Sequence, residues 1–294
     1  MPVDLNLACR MAKASDVCYS IGSPGGLTSC PFYNDVGFTA PPRSFTADMI
    51  NAALVGATAT EIILSFRGTL PIDLADWNDF IESVDDWVHD GEAVLVKVPY
   101  APGLVHQGFS ASLETLWAST VAAVRQLAVT QLPVVVTGHS KGGALATLAA
   151  IRLRSEGIAT PIGVYTYGSP RVGDTPFSNS YNAVVSQWRF ENTNDLVPHL
   201  PPAAQLLDFL GEVDSRLSGL TAYAYLHAGT LEYLGSNGKC TEGNPKNSLD
   251  ILGQRMRSFA ALLLIGQIKQ VATDHALTNQ YIPKICTLAA QIPT

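Results

Sequence analysis

Ser140 sits in Val134-Val135-Val136-Thr137-Gly138-His139-Ser140-Lys141-Gly142-Gly143. A β-branched run reads as a buried strand, and Gly142-Gly143-Ala144-Leu145-Ala146 opens a helix-forming stretch that stops at Gly157. Gly-x-Ser-x-Gly between a strand and a helix is the context of a nucleophile elbow. The flanking glycines let strand and helix approach closely while the serine hydroxyl stays exposed on a sharp turn. The first N–H groups of the following helix point at the place where an oxyanion would form. The chemistry this suits is acyl transfer through an acyl-serine.

A serine hydroxyl becomes a useful nucleophile when a base takes its proton and a carboxylate orients that base. On this type of fold the chain order is serine, then acid, then histidine. Of six histidines, His199, His227 and His275 follow Ser140. His199 lies four residues after Asp195 between prolines, too local to bridge to a separate elbow. His227 falls in a predicted strand, where a half-buried structural histidine is the ordinary case. His275 stands late in Thr273-Asp274-His275, where the order expects the base, and Asp195 lies just beyond a predicted strand end. Position alone therefore favours Asp195 and His275. Arg67-Gly68-Thr69 ends another predicted strand, Ile62–Phe66, and α/β sheets bind ligands at such carboxyl ends. There Thr69 offers an N–H and a hydroxyl to an oxyanion, although an ordinary strand end reads the same way.

These residues need elements to hold them, and the chain has the means to build them. It has 294 residues, 47% hydrophobic and 15% charged, enough for a sizeable core. A net charge of −7 disfavours nucleic-acid binding, which needs a basic face. No stretch reaches the ~18 apolar residues of a membrane span. The start, Met1-Pro-Val-Asp-Leu-Asn, has no basic-then-apolar leader, so the chain reads as cytoplasmic or as secreted with its signal removed. Five cysteines leave at least one unpaired. Free thiols are the ordinary reading, with Cys240–Cys286 or Cys18–Cys30 as the bridges a secreted protein could form.

Apolar spacing predicts a helix over 5–20, a second over 46–55 with Thr46 as cap and Gly56 as stop, and strands at 62–66 and 94–98. A long helix follows His106, a strand covers 162–167, a helix 175–184 and a strand 187–190. The stretch 70–91 holds seven acids and no Lys or Arg, interleaved with Leu74, Trp77, Phe80 and Trp87. It reads as an amphipathic surface helix or as a lid over an apolar pocket. Strands alternating with helices, without repeats or linkers, predict one doubly wound α/β domain over 1–294 with a mostly parallel sheet and helices on both faces.

Taken in order, the motifs resemble the class 3 lipases, the fungal-type triacylglycerol lipases. Phe66-Arg67-Gly68-Thr69, Trp77-x-Asp79, His106-x-Gly108-Phe109 and Gly138-His139-Ser140-x-Gly142-Gly143 are similar to motifs of that family. Tyr167-Gly168-Ser169-Pro170-Arg171-Val172-Gly173, Asn194-Asp195-x-Val197-Pro198, Tyr225-x-His227-x-Gly229 and Asp274-His275 continue the series. The resemblance implies an α/β-hydrolase fold with Ser140 as nucleophile, Asp195 as orienter and His275 as base. It also implies an oxyanion hole from Thr69 and the Lys141 N–H, a lid over about 70–91, and neither metal nor organic cofactor. Lys141 departs from the family, which usually has an apolar residue there. Segments 203–220 and 248–274 look like helical additions.

The expected function is hydrolysis of a neutral acyl ester, at a lipid–water interface where the substrate is a glyceride. The acids of 70–91 should repel anionic headgroups. A short-chain, feruloyl-type or phospholipid esterase on the same fold, an acyltransferase, and a catalytically silent binding protein are the alternatives.

Overall fold

The computed structural model describes residues 2–69, 94–201, 225–243 and 273–292. Leu74, Trp77, Phe80 and Trp87, the whole expected lid and nearly all of both expected helical additions lie outside the described residues.

Strand alternation sets the architecture. In β3 (Ile62–Phe66), Ile62, Leu64 and Phe66 face one core, while Ile63 faces another. In β6 (Val134–His139), Val134 and Val136 face the first and Val135 the second. Side chains of period two and apolar on both faces need helices on both faces. Helix α3 (Gln107–Leu127) and helix α4 (Lys141–Ser155) cover the first face, and α1 (Leu5–Val17) with α6 (Ile282–Ala290) the second.

The main sheet has eight strands in the order β1-β2-β3-β6-β7-β8-β9-β10. Strands β3, β6, β7 (Gly163–Tyr167), β8 (Gln187–Asn192) and β9 (Thr230–Leu234) run parallel. The edges, β1 (Arg43–Ala47) with β2 (Asn51–Ala57) and β10 (Cys240–Glu242), are antiparallel. Strands β4 (Leu95–Val98) and β5 (Ala101–His106) pair separately. Short helices α2 (Tyr33–Val36) and α5 (Thr175–Asn182) complete the described elements that matter here.

Two sequence expectations are corrected. The expected helix over 46–55 is a hairpin, with Ala47 opposite Asn51 in the β1–β2 ladder. Its turn uses left-handed residues, Asp48 at φ 51° and Met49 at φ 60°, where a hairpin signature would show glycine or asparagine. The run Asn51–Ala57 is rich in small apolar residues with good helix propensity, and pairing with β1 and β3 overrides it. The second correction concerns the cysteines. Cys9 and Cys286, 277 residues apart, form a disulfide that ties α1 to α6, while Cys18, Cys30 and Cys240 are free thiols. Neither expected bridge forms. The pairing depends on a helix contact between the chain's two ends, which sequence spacing does not encode.

Candidate active site

The turn out of β6 carries Ser140 at φ 57° and ψ −134°. A non-glycine residue here is strained, and the surroundings hold it. Ser140 N donates to the Tyr167 carbonyl at 2.9 Å, and Gly143 N donates to the Ser140 carbonyl at 2.8 Å. A side chain at Gly138 would collide with the Gly142 backbone, and one at Gly142 with the Phe66 backbone. Strand, turn and helix can be this close only because both residues lack a Cβ. Ser140 is 2% exposed, and its Oγ has no hydrogen-bond partner among the described residues.

At the end of β3, Arg67 is clamped inside, with its guanidinium donating to the carbonyls of Ile21 at 3.0 Å and Ile50 at 3.1 Å. Gly68 then passes so close to the elbow that a Cβ on it would lie 2.9 Å from Ser140 Cβ. Thr69 follows, half-buried, and Lys141 is the first residue of α4. The two expected oxyanion donors thus come from segments on either side of the serine.

Asp195 and His275, 80 residues apart, meet in the fold. His275 Nδ1 lies 2.8 Å from Asp195 Oδ2, with the carboxylate fully buried and the histidine 3% exposed. The carboxylate accepts, so Nδ1 carries the proton and Nε2 the lone pair. Asp195 Oδ1 accepts from Val197 N at 3.0 Å, and Oδ2 also accepts from the Tyr281 hydroxyl. Tyr281 in turn accepts from Asn192 N at 3.2 Å. Both members of the pair crowd Gly168, whose φ is +56°.

A second network holds His275 through its backbone. His139 Nε2 donates to the His275 carbonyl at 2.8 Å, so its Nδ1 is the acceptor for the Tyr19 hydroxyl at 2.7 Å. Burial drives the His139 pKa well below its ordinary value, and the nearby His275 adds to the effect. Asn192 Nδ2 donates to the Asp274 carbonyl at 2.8 Å. Sequence reasoning did not find Tyr281, Tyr19 or Asn192. They are ordinary polar residues: Asn192 ends β8, and only the packing of the turn after α1 and of the 277–290 region against the sheet ends brings Tyr19 and Tyr281 in.

His227 stands elsewhere, with Nε2 3.5 Å from Glu191 Oε1 and its pKa lowered chiefly by burial and then by Arg189. His106 caps α3, its Nδ1 accepting from Phe109 N at 3.3 Å. Among the described residues no cluster of His, Cys, Asp or Glu could hold a metal, and no helix is long and apolar enough to cross a membrane.

A mostly parallel sheet with a serine on the turn from its central strand into a helix is the α/β-hydrolase fold. Residues 63–205 match the family model described as Lipase (class 3). It is 38% identical over 157 residues to a lipase of Rhizomucor miehei and 46% identical over 147 residues to the secreted mono- and diacylglycerol lipase 1 of Fusarium solani. Those alignments cover 51% and 48% of this chain but 40% of each relative, so the chain matches less than half of their length. The solved structure of the Rhizomucor miehei triacylglyceride lipase superposes with a TM-score of 0.58 at 27% identity, covering 81% of this chain and 82% of that one.

Proposed function

We propose that the protein is a serine carboxylic ester hydrolase, a lipase acting on neutral acyl esters. The observation that carries the reading is the strained Ser140 turn beside the buried Asp195–His275 pair. The match of residues 63–205 to the class 3 lipase model, and relatives that are named lipases, support it.

In this reading Ser140 Oγ attacks the ester carbonyl while His275 Nε2 takes its proton. Asp195 holds the imidazole in the required tautomer and stabilises the imidazolium. The N–H groups of Thr69 and Lys141 receive the tetrahedral oxyanion, and losing one such donor typically costs roughly 3–4 kcal/mol of barrier. His275 returns the proton to the departing alcohol. Water, deprotonated by the same nitrogen, then cleaves the acyl-enzyme. Tyr281 and His139 are positioning residues, one acting through Asp195 and the other through the His275 backbone. The acids of the 70–91 sequence favour neutral substrates over anionic ones.

The test is the initial rate on p-nitrophenyl esters from acetyl to palmitoyl, with Ser140→Ala in parallel. A rate that rises with chain length and vanishes in the variant is expected. A short-chain optimum would make the protein an esterase, and equal rates in both proteins would remove Ser140 from the mechanism.

A further inference from the structure

A cavity of about 260 Å³ opens beside the nucleophile turn. Its walls come from the β1–β2 hairpin, the first turns of α3 and the residue that follows Ser140. Asn51, His106, Thr115 and Lys141 supply polar groups, and Ile50 and Phe109 apolar surface. The polar groups are mainly donors. Lys141 Nζ donates to Asn51 Oδ1 at 3.0 Å, which fixes the ammonium at the cavity wall. Asn51 Nδ2 donates in turn to Thr115 Oγ1 at 3.3 Å, so its amide orientation is set.

His106 supplies the second observation. The residue is 0% exposed and its Nε2 has no hydrogen-bond partner among the described residues. Its Nδ1 accepts from Phe109 N, so Nε2 carries the hydrogen and is an unsatisfied donor. Burial, with Lys141 nearby, lowers its pKa to about 4, which keeps the ring neutral with that single hydrogen. A buried donor without an acceptor is costly, and a cation beside it favours an acceptor that is negative. Among the described lining residues the carboxylate is Asp48, exposed on the cavity rim.

We propose that this cavity is an oxyanion-binding subsite, in which Lys141 and His106 hold a carboxylate or phosphate group beside the catalytic serine. The two sources of that chemistry are the fatty-acid carboxylate released by the reaction and an inorganic oxyanion. The proposal deepens the hydrolase reading and rests on it for the first source alone. A fatty acid held here has its chain against Phe109 and Ile50 and competes with incoming ester.

The experiment titrates octanoate, octanol and inorganic phosphate by calorimetry into Ser140→Ala protein, which binds without turning over. The same titrations are run with Lys141→Met, Lys141→Arg and Asp48→Asn added. Loss of a charge-assisted contact should weaken octanoate by about 10-fold or more in Lys141→Met. Lys141→Arg should restore binding to within about threefold, and Asp48→Asn should tighten it. Octanol should bind all variants alike. Phosphate that displaces octanoate, or that alone shows the Lys141 dependence, supports the subsite and assigns it to an inorganic source. Carboxylate and phosphate affinities both indifferent to Lys141 would overturn the proposal. That outcome would leave the hydrolase reading intact, because that reading is measured by turnover in the parent protein.

Discussion

Replacing Gly168 with alanine puts a methyl group where the Asp195–His275 pair sits. Gly168 follows β7, and a Cβ on it would stand 2.7 Å from Asp195 Oδ2, 2.8 Å from His275 Cε1 and 2.9 Å from His275 Nδ1. Neither side chain has slack. Asp195 is pinned by Val197 N and Tyr281, and the His275 backbone by His139. Relief to an ordinary contact therefore moves the imidazole or carboxylate by roughly 0.7 Å, and misplacement of about 1 Å costs on the order of 100-fold in rate. The left-handed φ of +56° adds about 1–2 kcal/mol of destabilisation for any residue with a Cβ. Gly168→Ala should therefore lower kcat/KM on p-nitrophenyl butyrate by about 30- to 100-fold and the melting temperature by roughly 2–8 °C. Steady-state rates read the first and circular dichroism the second. A folded variant within threefold of the parent kcat/KM would refute the placement of the pair over Gly168.

Further outcomes follow from the same packing. Tyr281→Phe removes a hydrogen bond to the Asp195 carboxylate, worth about 1.5–3 kcal/mol, and should lower kcat by roughly 10-fold or more with KM little changed. Removing the Cys9–Cys286 bridge with the double alanine variant frees a loop of nearly the whole chain and should cost about 2–5 kcal/mol, read by denaturant midpoint. Acid should destabilise the fold. His106, lowered to about 4, is neutral when folded and protonates near 6.5 when unfolded. Its contribution is complete above about pH 6.5 and fades as pH falls towards about 4. The buried His139 and His227, also lowered, act in the same direction. His106→Asn should flatten the fall of the unfolding midpoint between about pH 6.5 and 4.

What could be read in the sequence was whatever local chemistry dictates. The β-branched run before Ser140 and the small residues after it define a strand–turn–helix unit, and β3 and β7 read the same way. The order of Asp195 and His275 along the chain anticipated that they would meet, because topology fixes which strand ends share one edge of a parallel sheet. The hairpin at 43–57 was not legible, since Asp48 and Met49 adopt left-handed angles without a turn signature. Equally hidden were the contacts made by the chain's two ends. Tyr19 on His139, Tyr281 on Asp195 and Cys9 on Cys286 pair residues more than 80 positions apart, and no periodicity marks such partners. The cation at Lys141 was visible as an oddity, but its direction, towards Asn51 and His106 in a cavity, is a property of the packed hairpin.

The central claim is that Ser140 is an activated nucleophile. It is tested most directly by intact-mass measurement after incubation with an alkyl p-nitrophenyl phosphonate, followed by peptide mapping. One adduct per chain on Ser140, formed in parallel with loss of esterase activity and absent from Ser140→Ala, is the result the account expects. An adduct on another residue, or full inactivation with Ser140 unmodified, would contradict it.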